Sequence, residues 1–145
     1  GDTGQAVATV YRPVTLSKQS DLRFGAVVRP VSGNGRVEIV AETGVRELTN
    51  AVGLPNPSVS AASYTVQGEG GRSMTVDIPG EFAMNAPNGG VTVTTTTTAQ
   101  VTPTLSSTTG SSGAYSFNVG GWFPLSSATP SGAYYGAFDV TVAYN

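Results

Sequence analysis

The sequence predicts an all-β fold, a β-sandwich, from three observations. Helical periodicity is nearly absent, and short apolar alternations recur between Gly, Pro, Asn and Ser punctuation. Charged residues make up only 11% of the 145, less than half the usual share, with Ser and Thr in their place and with Gly at 19 and Pro at 9. A chain of this length forms one domain, with room for an extension, and can bury a real core.

The elements follow in order. Gln5 to Leu16 (QAVATVYRPVTL) alternates, with Ala6, Ala8, Val10, Val14 and Leu16 on one parity and Arg12 breaking it. Pro13 cannot donate to a strand ladder, so it separates an arm, residues 1–12, from a domain, residues 13–145. Strands are expected at Val14 to Leu16, Phe24 to Val28, Arg36 to Ala41, Ser63 to Gln67 and Met74 to Ile78. Val91 to Val101, Ala114 to Val119 and Tyr134 to Tyr144 complete the set, and such spacing suits a sandwich. Asn34-Gly35 and Gly68 to Gly71 supply hairpin turns. Val45 to Val52 (VRELTNAV) is the one helical candidate, a turn or two before Pro55 and Pro57 impose an extended loop. The Thr-rich run from Val91 to Thr109 reads as a long strand with one exposed Thr face.

The final segment is the most informative. From Tyr134 the even positions are Tyr134, Gly136, Phe138, Val140, Val142 and Tyr144; the odd ones from Ala137 are small or polar. Opposite faces alternate along a strand, so this is one half-buried strand whose outer edge needs a partner.

Several function classes drop out. The chain has no Cys and no His, which excludes zinc sites built on those ligands, thiol catalysis and imidazole acid–base chemistry. The carboxylates are scattered; Asp21 is read as capping a turn before Leu22 and Asp139 as pointing outward, so no enzyme, cofactor or metal is expected. Net charge is −2 and the basic residues are interspersed with acids, which argues against a nucleic-acid partner. No stretch approaches the length of a membrane span. The opening Gly-Asp-Thr-Gly, without Met or leader, is expected to be a mature N-terminus left by signal-peptide removal. Trp122 and Phe123 stand side by side; they form either a ligand- or partner-binding platform or a pair with one residue in the core and one at an interface.

Three segments together carry a resemblance: DLRFGAVV (Asp21 to Val28), AASYTVQGEGGRSMTVDIP (Ala61 to Pro79) and GAYYGAFDVTVAYN (Gly132 to Asn145). They resemble a family of secreted bacterial β-domains of unknown function, and are similar to archaic chaperone–usher pilins and spore-coat-U-type domains. The resemblance implies an immunoglobulin-like sandwich that lacks its last strand and is completed by a donor strand from a neighbouring subunit. Carried over, Ala6, Ala8 and Val10 fall at the donor strand, and Tyr134, Phe138, Val140, Val142 and Tyr144 at the edge of the acceptor groove. It also implies a periplasmic chaperone and an outer-membrane usher. The chain departs from archaic pilins in having no Cys for their usual disulfide.

Two functions are expected from this. The first is a structural subunit of an extracellular pilus, exported through the periplasm and polymerising head-to-tail with copies of itself. The second is a self-contained secreted module that binds glycan or protein through Trp122 and Phe123.

Overall fold

The structure, a computed structural model, describes residues 1–145 and contains twelve strands and no helix. They are β1 (Thr15–Ser20), β2 (Ala26–Val28), β3 (Asn34–Ile39), β4 (Arg46–Thr49), β5 (Val52–Leu54) and β6 (Ala62–Glu69). β7 (Met74–Asp77), β8 (Glu81–Ala86), β9 (Gly89–Thr97), β10 (Ser112–Ser126), β11 (Tyr135–Gly136) and β12 (Thr141–Tyr144) follow. The fold is the all-β, sandwich-like one that the sequence predicts.

β10 organises it. On one edge Ser112 to Val119 pairs with β6, and Gly121 to Ser126 then pairs with β3; on the other, Val119 to Trp122 pairs with β9. Around Gly120 and Gly121 the neighbouring strands come so close that only glycine fits. A side chain on Gly120 would run into the Ile39 carbonyl, and one on Gly121 into the Thr94 carbonyl. The sheet runs β1-β6-β10-β9-β8-β11, with β3 and β4 joined at β10. Against it lies a second, shorter layer. β7 pairs with β12 on one side, and on the other its Met74 and Val76 amides donate to Pro103 and Val101.

Two apolar clusters fill the interior. One holds Ala62, Tyr64, Val66, Met74, Val76, Leu105, Phe117 and Val119, with Tyr64 stacked on Phe117 at 5.2 Å. The other holds Phe24, Val37, Ile39, Ala61, Val93, Phe123 and Leu125, with Phe24 edge-on to Phe123 at 4.9 Å. Alternation accounts for both: in β6, Ala62, Tyr64 and Val66 are buried while Ser63, Thr65 and Gln67 are not.

Four expectations need correction. The segment Val45 to Val52 is not helical but forms β4 and the start of β5. Arg46 and Leu48 turn inward while Glu47 and Thr49 face out, and the Arg46 guanidinium donates to the carbonyls of Phe24, Ala26 and Leu54. Neither expected hairpin turn forms: Asn34-Gly35 opens β3, paired with Ser126 and Leu125, and Gly68 to Gly71 closes β6 and leads to β7, which pairs with β12 and not with β6. The strand expected from Val91 to Val101 ends at Thr97, and β8, which the sequence reading left out, forms a hairpin with it. Finally, Tyr134 to Tyr144 is not one strand. β11 pairs with β8 in the large sheet, and residues 137–140 then cross so that β12 pairs with β7. One local and one tertiary contact accompany this break: the Tyr134 hydroxyl donates to the Pro130 carbonyl four residues earlier at 2.6 Å, and Phe138 packs on Phe82 at 4.9 Å. The predicted parity survives it, with Phe138, Val140, Val142 and Tyr144 half-buried and the odd positions exposed.

Candidate strand-docking site

β1 and β12 each have one paired edge, to β6 and β7 respectively. The two strands come near each other, yet no backbone hydrogen bond joins them. Half-buried apolar side chains from both sides pack on the first cluster: Val14, Leu16 and Leu22 from the β1 side, and Val140, Val142 and Tyr144 from the β12 side. The seam between the two strands, the candidate groove, is lined by these apolar side chains, and the outward backbone groups of both strands lack ladder partners. Of the residues expected at its edge, Val140, Val142 and Tyr144 lie there. Phe138 lies beyond the end of β12, beside a shallow pocket of about 340 Å³ lined also by Pro79, Glu81, Phe82, Ala137 and Asp139. Tyr134 does not border the groove; it sits at the β8 edge, where its hydroxyl reaches Pro130.

The arm stands clear of its own domain. Residues 1–13 form no regular structure, Val7 is 98% exposed and Val10 88%, and nothing approaches the Cα positions of Gly1 or Gly4 on their open side. Ala6 and Ala8 are exposed as well. The first hydrogen bond from this segment to the domain is made by Arg12.

That contact is a buried ionic clamp. Glu69 is only 3% exposed. Its Oε1 accepts the Arg12 amide at 3.1 Å, and its Oε2 accepts Arg12 Nη1 at 3.0 Å and the Gly110 amide at 2.7 Å. The Tyr144 hydroxyl accepts from the Glu69 amide and donates to the Arg12 carbonyl, both at 2.7 Å. Arg72 lies over the Tyr11 ring at 4.5 Å, and Tyr11 tilts against Tyr144 at 6.3 Å. The Arg12 amide, then that of Gly110, holds the Glu69 carboxyl below the ordinary carboxylate range. The sequence reading missed this group. Its signals were Arg12, which breaks an apolar parity, and Glu69, a lone charge between glycines. Gly68 is required because a side chain there would meet the Tyr144 hydroxyl at 2.5 Å.

Trp122 and Phe123 do not form a joint platform. They point to opposite faces of β10, and Phe123 is buried in the second cluster. Trp122 is half-buried on the other face, with the Arg36 guanidinium 4.0 Å above its ring and Glu38 paired to that arginine. One residue is core and one is surface, and the surface ring is already covered on one side. Asp139 is exposed, as expected, and Asp21 pairs with Lys18 and Arg23 on the surface.

A family model described as a domain of unknown function (DUF4402) matches residues 14–144. The chain belongs to that family. No curated protein and no solved structure matched it in the same comparisons. The DUF4402 match thus takes in the whole groove and the Glu69–Tyr144 half of the clamp, and begins after Arg12 and the arm.

Proposed function

We propose that this chain is the structural subunit of an extracellular filament, in which the arm of one copy fills the groove of the next. The carrying observation is the pairing of two unpartnered features in one molecule: an exposed arm without regular structure, and an apolar seam between two strands that share no ladder. Strand addition of this kind draws affinity from backbone hydrogen bonds and register from alternate side chains. Ala6, Ala8 and Val10 supply the inserted face, and Val140, Val142 and Tyr144 border the site that receives it.

The topology supports one direction of insertion in a head-to-tail arrangement. Arg12, Glu69, Tyr144 and the start of β10 share one pole of the domain, while the end of β10 and the start of β3 mark the other. An arm projecting from the first pole enters a neighbour from that neighbour's second pole. It therefore runs antiparallel to β12, which heads toward the first pole. Burying the three side chains contributes about 2–5 kcal/mol before ordering, and each ladder bond adds about 1 kcal/mol net. Because the donor and acceptor surfaces differ, the contact does not close on itself and propagates as a fibre. In this reading a periplasmic chaperone holds the groove before assembly and an outer-membrane usher exchanges it for the arm.

Negative-stain microscopy of the full chain beside one lacking Gly1 to Arg12 tests the proposal. Thin fibres from the first, none from the second, and capping of the second by a peptide of the missing residues are expected. Stable monomers from both would overturn it.

A further inference from the structure

We propose that the Glu69–Tyr144 clamp on Arg12 prevents the arm from closing on its own groove, so that only a second copy can fill it. This rests on the filament reading above. β1 runs away from the pole where the arm attaches, so an arm that filled its own groove would have to reverse at Arg12-Pro13 and come back alongside β1. Two constraints at that point oppose a reversal. The Arg12 amide is taken by the Glu69 carboxylate, and the Arg12 carbonyl by the Tyr144 hydroxyl. The Arg12 guanidinium is bound to the same carboxylate, so a turn at this residue would leave Glu69 buried without its partner. Tyr11, held between Arg72 and Tyr144, carries the constraint one residue further out. Glu69 and Tyr144 are therefore positioning residues: they aim the arm outward.

Disulfide trapping tests this, since the chain has no native cysteine. Thr9→Cys in the arm and Ala143→Cys on the outer face of β12 come together only when an arm folds back alongside its own β12; antiparallel insertion into a neighbour places position 9 at the far end of that strand. The doubly substituted chain is expected to give little crosslinked monomer. Adding Tyr144→Phe should raise that species about fivefold, the scale of one lost neutral hydrogen bond. Glu69→Gln should do the same, and thermal melts confirm that each variant is folded. Equal crosslinked monomer with and without the clamp, in folded variants, would overturn the proposal. So would a parent chain that is already mostly closed. If clamp variants close on themselves while the parent never forms intermolecular species, the clamp stands and the filament reading falls. If fibres form equally well from every variant with no closed monomer, the filament reading stands and the clamp falls.

Discussion

The hydroxyl of Tyr144 donates to the carbonyl of Arg12 at 2.7 Å, tying the last strand of the fold to the root of an arm more than a hundred residues earlier. The same hydroxyl accepts the Glu69 amide, while the Tyr144 ring packs on the first core cluster at the border of the groove. One side chain thus belongs both to the surface that would receive a strand and to the hold on the strand that would be given.

Replacing Tyr144 by Phe keeps the ring and removes both hydrogen bonds. The Arg12 carbonyl is at the surface, where water replaces the lost donor, so the net loss is about 1–2 kcal/mol. Urea denaturation should show that loss with an unchanged slope, because the surface exposed on unfolding stays the same.

Acidification should loosen the arm root. The folded Glu69 carboxyl lies below its ordinary value of 4.5, so its contribution is fully present above that value and fades as pH falls through the lowered folded one. The partners facing it are Arg12 and the Gly110 amide. Melting temperature measured from pH 6 downward should fall more steeply below pH 4.5 in the parent than in Glu69→Gln, which starts lower at neutral pH.

Phe123 and Trp122 are adjacent but should respond very differently to truncation. Phe123→Ala opens a cavity in the second cluster and should cost about 3–5 kcal/mol. Trp122→Ala removes a half-exposed ring and its contact with Arg36, the latter contributing about 0.5–1 kcal/mol, and should cost distinctly less. Denaturant midpoints for the two variants check this directly.

Val10→Asp separates assembly from stability. Val10 is 88% exposed in the single chain, so the substitution should move its stability by no more than about 0.5 kcal/mol. In a neighbour's apolar groove the same carboxylate would be buried without a partner. Normal melting with no fibres by light scattering is the expected pair of results.

What the sequence made legible was local. The parity of Phe138, Val140, Val142 and Tyr144 needed only alternation. The crossing at residues 137–140 was not legible, because it depends on Phe82, which is far away in sequence. Val45 to Val52 misled for a related reason: Arg46 is drawn into a strand by carbonyls from β2 and β5, whereas Arg, Glu and Leu in isolation favour helix. Glu69 sits among Gly68, Gly70 and Gly71, a pattern that marks a turn, and its burial appears only when Arg12 and Gly110 are brought beside it.

The central claim is that residues of the arm occupy the groove between β1 and β12. The most direct test is hydrogen exchange on the full-length Val10→Asp chain, held monomeric by its own blocked arm, with and without a synthetic peptide of Gly1 to Arg12. Saturating peptide should slow amide exchange across Val140 to Tyr144 and Thr15 to Ser20 by about tenfold or more, as new ladder bonds form. Exchange unchanged in both strands at saturating peptide would contradict the account.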